Sequence, residues 1–319
     1  MQTYDVVAIG ELLIDFAQRG VDKSGYPTLA AQPGGAPGNV LAALAGLDKT
    51  TAFLGRVGDD AFGSLLLQTL AGLGIDTRGV RRDPTAFTTM AFVTLDDHGE
   101  RSFSFARKPG ADTRLRFEEI DLDMVDKAKI LHFGALSLTD EPARTATKKT
   151  VEYALSRHKL ISFDPNFRAP LWRDRQEAIA QMQWGLSRAR IVKLSGEEAE
   201  LLLACPPEEG TERLLRDYGV GLAMVTLGSR GAILQNPNGR VTVAAPTVES
   251  VDTTGAGDIF TGSALAALLE LDRSPEELTR EELLRVGRFA VTAASLSTQN
   301  PGGMRSMPTR EQIQAMLTE

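Results

Sequence analysis

Asp252-Thr253-Thr254-Gly255-Ala256-Gly257-Asp258 runs directly into an apolar stretch in which Phe260, Ala264, Ala267, Leu268 and Leu271 recur at helical spacing. That spacing makes Gly255 to Asp258 the first turn of a helix. Two glycines flank one alanine, so the backbone can turn tightly and come close to a ligand. A helix start exposes up to four unpaired N–H groups and roughly half a unit of positive charge, a seat for an anion. A carboxylate in that seat, Asp258, is hard to explain by stability alone, although a plain helix cap remains the bland alternative. It suits a group that must face a hydroxyl beside a phosphate, and so points to phosphoryl transfer onto a small hydroxylated molecule.

Outward from that turn, short apolar runs alternate with helical patterns. Val6-Val7-Ala8-Ile9, closed by Gly10, reads as a buried strand, as do Ile130 to Phe133, Leu160 to Phe163, Ile191 to Leu194 and Leu222 to Val225. Between some of them lie helical patterns such as Phe62, Leu65, Leu66, Leu70 and Leu73, preceded by the candidate caps Asp59 and Asp60. This alternation predicts right-handed βαβ crossovers and a mostly parallel sheet covered on both faces. One region departs from it. Thr88 to Leu95 and Arg101 to Arg107 alternate like strands around Asp96-Asp97-His98-Gly99-Glu100, an antiparallel hairpin. With Glu11 to Phe16 and Thr28 to Gln32 it predicts a small second sheet over the active end of the first. No repeat or long linker appears, so residues 1–319 are expected to form one domain, with a lid from segments 11–33 and 86–112.

Composition narrows the function. The net charge is −7 and the pI about 5.2, which argues against nucleic acid as the main partner. A phosphate-bearing ligand must then be held by local amides, a few cations and a metal. One cysteine, Cys205, allows neither an intramolecular disulfide nor a zinc cluster. No apolar run approaches the roughly 18 residues of a membrane span, and the first residues lack a secretory pattern; no membrane partner and a cytoplasmic location are expected.

Two other glycine clusters matter. Gly34-Gly35-Ala36-Pro37-Gly38-Asn39 opens a helical pattern, and Asn39 can both donate to and accept from sugar hydroxyls. Gly55 to Gly63 reads as a turn followed by an N-cap. Together with Asp252–Asp258, these clusters resemble the two signatures of the ribokinase-like (PfkB) family of carbohydrate kinases. The resemblance runs through nearly the whole chain. It takes in Gly10-Glu11-Leu12-Leu13-Ile14-Asp15, Phe163-Asp164-Pro165-Asn166-Phe167-Arg168 and Val225-Thr226-Leu227-Gly228-Ser229-Arg230-Gly231. The first two of these runs, with Leu171-Trp172 and Lys193-Leu194-Ser195, are most similar to fructokinases. Kinases of 2-keto-3-deoxygluconate and 5-dehydro-2-deoxygluconate stand close behind.

The resemblance implies a ribokinase-like, Rossmann-type three-layer α/β sandwich with a β lid. Its activity would be ATP-dependent phosphorylation of a primary hydroxyl, fructose to fructose 6-phosphate in the first instance. Asp258 would be the base, and the amides of Gly255, Ala256 and Gly257 would hold the transferring oxygens, in keeping with a reaction governed by positioning and electrostatics. Asp15, Gly34, Gly35 and Asn39 would form the sugar floor. Asn166 would join them, with Arg168 near the sugar or the phosphates. Arg107 would be a lid arginine closing over the sugar; a plain surface arginine is the alternative. Thr226, Gly228 and Gly231 would line the nucleotide side. Glu198 would reach Mg²⁺ through water, or else merely serve the helix start; Ser195 stands where much of the family has asparagine. A monovalent cation, K⁺, would neighbour Asp252, Thr254 and Ser306. A homodimer is expected, because exposed lid edges often pair in this family.

Absent motifs exclude rivals: there is no G-x-x-x-x-G-K-[ST] loop, no H-E-x-x-H pair and no G-x-S-x-G elbow. His98, His132 and His158 lie far apart and read as a turn, a strand and a helix-end residue. A non-catalytic sugar- or nucleotide-binding regulator on the same fold stays open beside the kinase.

Overall fold

A computed structural model of the chain describes residues 3–95 and 101–318. From the N-terminus come β1 (Tyr4–Ile9), β2 (Leu13–Val21), β3 (Pro27–Gly34), α1 (Ala36–Ala45), β4 (Thr51–Gly58) and α2 (Ala61–Gly72). Then follow β5 (Val80–Asp83), β6 (Thr89–Leu95), β7 (Arg101–Ala106), α3 (Leu122–Asp126), β8 (Ala128–Gly134), α4 (Ala143–Ser156), β9 (Leu160–Asp164) and α5 (Arg175–Leu186). The last third holds β10 (Ile191–Ser195), α6 (Gly196–Leu203), α7 (Gly210–Tyr218), β11 (Leu222–Thr226), β12 (Ala232–Asn236), β13 (Gly239–Val243), α8 (Ala256–Leu271), α9 (Arg280–Ser297) and α10 (Arg310–Thr318).

Nine strands form one sheet in the order β13-β12-β11-β10-β9-β8-β1-β4-β5. It is parallel from β11 to β5 and ends in an antiparallel hairpin, β12–β13, at the other edge. Its inner parallel strands, β1 and β8 to β11, are mostly apolar because both faces are covered, whereas the edge strand β5 exposes Arg81 and Arg82. Val6 and Ala8 of β1 point into a core shared with α1, α8 and α9. Val7 and Ile9 point the other way, onto residues of α4, α5 and α6. Successive strands lie to one side of β1 and then, from β8 on, to the other. The resulting crevice at the carboxyl ends of β1 and β8 is where open α/β sheets place ligands.

The second sheet has the order β3-β2-β6-β7, with β2 and β6 parallel and both outer pairs antiparallel. It is the small sheet expected from two separated segments; the hairpin tip at 96–100, with His98, lies outside the described residues. The Gly55–Gly63 run departs from its reading. Gly55 to Gly58 are the end of β4 rather than a turn, and only Asp60 behaves as expected, accepting from the Gly63 N–H at 2.7 Å to cap α2. A Cβ on Gly55 would lie 2.6 Å from the Phe53 ring and 2.9 Å from the Gly10 carbonyl, so close packing is why glycine stands there.

Helices α1 and α8 cross at Gly262, where a Cβ would come within 2.6 Å of the Val40 carbonyl and the Ala43 methyl. This close approach brings the N-terminal ends of both helices, and so two of the three glycine clusters, to one side of the crevice.

Candidate active site

A cavity of about 810 Å³ lies over the strand ends, and Asp258 stands in its wall. Asp258 is 5 % exposed; its Oδ2 accepts from Asn39 Nδ2 at 2.7 Å and its Oδ1 from Asn166 Nδ2 at 2.8 Å. Asn166 adopts φ +48°, a left-handed conformation that asparagine tolerates better than most residues, and so turns back toward the cleft just beyond β9. Burial, reinforced by the neighbouring Asp164 carboxylate, pushes the Asp258 carboxyl up to about 7. The Asn39 hydrogen bond, Lys193 and Arg168 pull it the other way. A base poised near neutrality is well matched to accepting a proton in a transition state.

Gly255 caps α8 with φ +79°, in the left-handed region. Of the three amides expected to cradle a phosphoryl group, that of Ala256 donates to the Thr253 carbonyl at 3.2 Å, closing the turn. The Gly255 and Gly257 amides make no backbone bond among the described residues. The Ala256 amide therefore closes the turn and is less open to a ligand than the sequence suggested, leaving the Gly255 and Gly257 amides as the candidates. A Cβ at Gly257 would sit 3.0 Å from Lys193 Nζ. Lys193 is buried, pairs with Asp164 at 3.1 Å and lines the same cavity. Sequence reasoning missed it, though the signal was present as one lysine interrupting an apolar strand run. Thr261 completes the arrangement by donating to Asp164 at 3.0 Å.

Asp15, on β2, is half-buried and faces the cavity; burial pushes it up to about 6, with Arg168 opposing and Asp252 adding to the rise. Gly35 and Asn39 line the cavity too. Gly34 does not: it sits behind Asp15, where any Cβ would collide with the carboxylate, so it gives Asp15 room instead of touching a ligand. Glu11 was not foreseen as a site residue. It is buried, accepts from the Ala36 N–H at 3.0 Å, and burial pushes it up to about 7. Arg168 is exposed and lines the cavity, as does Phe105.

Arg107 is neither a mobile lid arginine nor a surface one. It is 5 % exposed; its guanidinium donates to Asp112, to Thr139 Oγ1 at 2.7 Å and to the Leu136 carbonyl at 2.8 Å. With those donors committed it braces the root of β7 and lies outside the cavity lining. Glu198 does line the cavity, and both its oxygens accept backbone N–H groups, Phe167 at 2.8 Å and Ser195 at 2.7 Å. It forms a capping box with Ser195 at the start of α6. The Asp252 carboxylate accepts from Thr254 at 2.9 Å and Gly302 at 3.0 Å. The Gly303 N–H donates to the Thr254 carbonyl, and Ser306 Oγ to the Gly303 carbonyl, so the loop holding Asp252 and Thr254 packs on the loop holding Ser306. Among the described residues His132 is buried on β8 against Ser162, burial and Lys193 pushing it down to about 3, and His158 follows α4.

Thr226, Gly228 and Gly231 line a second cavity of about 560 Å³. Thr253 and Gly257 line both cavities, so the two meet at the glycine turn. The buried Asp258 carboxylate and Lys193 stand in the larger cleft beside the glycine turn that both clefts share, an arrangement chemically suited to transferring a group from a donor in one cleft to an acceptor in the other.

The pfkB family carbohydrate kinase model matches residues 3–310, and the chain belongs to that family. It is 38 % identical over 315 residues to Probable fructokinase-4 of Arabidopsis thaliana, covering 98 % of this chain and 96 % of that one. Among solved structures it resembles fructokinase with bound ATP from Xylella fastidiosa, at TM-score 0.88 and 30 % identity, covering 99 % and 98 % of the two chains. It also resembles a fructokinase double mutant from Vibrio cholerae O395 in fructose, ADP and potassium ion bound form, at TM-score 0.86 and 32 % identity over 99 % of each chain.

Proposed function

We infer that this protein is an ATP-dependent sugar kinase that phosphorylates the 6-hydroxyl of fructose. The observation that carries the reading is the position of Asp258, where the larger cleft meets the amide turn shared with the smaller one. Fructose would occupy the 810 Å³ cavity and the nucleotide the other. The sugar oxygen attacks the γ-phosphorus, the bond to the ADP oxygen breaks, and Asp258 takes the alcohol proton as the new O–P bond forms. The Gly255 and Gly257 amides, with Lys193 beside them, oppose the charge that builds on the phosphoryl oxygens.

Charge supports a neutral acceptor. Among the described residues, Glu11, Asp15, Glu197, Glu198 and Asp258 line the larger cavity with only Lys193 and Arg168 as cations, a poor setting for the carboxylate of a keto-sugar acid. Two buried acceptors of its wall, Glu11 Oε2 and Asn39 Oδ1, have no hydrogen-bond partner among the described residues, a deficit of the kind that ligands or ordered water make good.

Mg²⁺ would enter with ATP, neutralising phosphate charge. Glu198 fits a contact through water, because each oxygen accepts one N–H and keeps a lone pair, and Mg²⁺ asks for few protein ligands when phosphates supply the rest. A K⁺ ion beside Asp252, Thr254 and Ser306 would take oxygen ligands from the two loops that pack together there. The smaller sheet acts as the lid, and a homodimer would form across its open β3 edge, where Leu29 is exposed beside Val21 and Tyr26 of the β2–β3 hairpin end. Among the described residues no helix is long and apolar enough to cross a membrane, in keeping with a cytoplasmic enzyme.

The test is ADP release coupled to fructose 6-phosphate formation with Mg-ATP and fructose. Absence of turnover with hexoses, pentoses and keto-acids alike would leave the binding-protein reading instead.

A further inference from the structure

The smaller cavity is walled by apolar groups of α8 and α9 (Phe260, Val291 and Ala294) and faced by Pro246 and Val248 of the loop after β13. Among the described residues that line it, none is Asp, Glu, Asn, Gln, His, Lys or Arg; every polar side chain is a serine or threonine hydroxyl. The purines differ at C6, where adenine offers an amino donor and guanine or hypoxanthine a keto acceptor. A group of fixed polarity tells these apart: a carboxylate only accepts and an ammonium only donates. A hydroxyl rotates and does either. Thr247 and Ser250 are moreover exposed to solvent, so an edge of the base left unmatched keeps its water and is not stranded dry.

We propose that this slot selects a flat purine and not adenine, so that GTP and inosine triphosphate serve as phosphoryl donors alongside ATP. The proposal rests on the kinase reading for its donor chemistry, but the slot's tolerance is a property of its own walls. The phosphate end is common to all three nucleotides and is held at the Thr253–Gly257 turn, so the differences between donors should fall on KM while kcat stays nearly constant. A pocket that holds its ligand by apolar contact discriminates between near-isosteres by about 10², whereas one that hydrogen-bonds a defining edge reaches about 10⁴ to 10⁵.

Two measurements test it together. In steady-state kinetics at saturating fructose, kcat/KM for GTP and for inosine triphosphate should lie within about 10³-fold of that for ATP. In equilibrium competition, GDP and IDP should displace a fluorescent ADP analogue at concentrations within the same range of ADP. Preference for ATP beyond that range, with ADP alone displacing the probe, overturns the proposal and points to main-chain groups of residues 245–250 reading the base edge. If no nucleotide supports turnover yet ADP, GDP and IDP compete alike, the kinase reading falls and the slot inference stands. If none of the three binds, both fall.

Discussion

Replacing Asp258 by asparagine separates chemistry from architecture at this site. Asn39 and Asn166 each donate an amide N–H to the carboxylate. An asparagine at 258 keeps one acceptor oxygen, and Asn39 Oδ1, which has no partner among the described residues, can take the new N–H if its amide turns. The fold should survive. Turnover should not: a positioned general base is worth about 10² to 10⁴, or about 3 to 5 kcal/mol of barrier. Wild-type kcat should climb with pH through about 7, because only the ionised carboxylate accepts the proton, and this limb should vanish from the residual activity of Asp258→Asn. Stability moves the opposite way. The folded-state pKa lies above the ordinary 3.8, so the protonated group's contribution is complete below about 4 and is lost as pH rises through about 7. Above that, wild type holds a buried negative charge at a cost on the order of 2 to 4 kcal/mol, which the variant avoids. Asp258→Asn should therefore melt higher than wild type at pH 8, with the gap closing toward pH 5, as read by calorimetry alongside a coupled ADP assay. Near-normal turnover, or a variant less stable than wild type at pH 8, would refute the reasoning.

Three further substitutions probe the neighbours. Gly34→Ala, which touches no ligand, should raise KM for fructose at least tenfold while leaving KM for ATP unchanged, because its methyl displaces the Asp15 carboxylate; equal effects on both substrates would misplace the sugar floor. Lys193→Met should lower kcat by about 10² to 10³ as charge stabilisation at the turn is lost. Since it also strands Asp164, the double variant with Asp164→Asn should recover melting temperature but not turnover, and recovery of turnover would assign Lys193 a purely structural part. Arg107→Ala should destabilise the fold by about 3 to 5 kcal/mol by leaving Asp112 buried and unpaired. At temperatures where the variant stays folded, its KM for fructose should hold within a few-fold, and a large rise there would restore Arg107 to the sugar site.

Much of this molecule was legible in local patterns. Apolar runs of four to six residues separated by helical periodicity can hardly pack except as a covered parallel sheet, and the glycine-rich turn before Asp258 can hardly serve except as a helix start open to an anion. Glycine misled where packing rather than turning required it, at Gly55 and Gly58 in β4 and at Gly34 behind Asp15. Tertiary structure alone decided the rest. Asn39 and Asp258 lie 219 positions apart and Asn166 and Asp258 92 apart, yet all three converge because α1 and α8 touch at Gly262 and β9 ends beside them. Only that convergence takes Glu11, Asp15 and Asp258 out of water together and raises their proton affinity. Only the packing of the small sheet's root turns Arg107 from a lid residue into a buried brace. Periodicity along a chain reports which face of an element is apolar; desolvation and charge pairing depend on what the rest of the chain brings to that face.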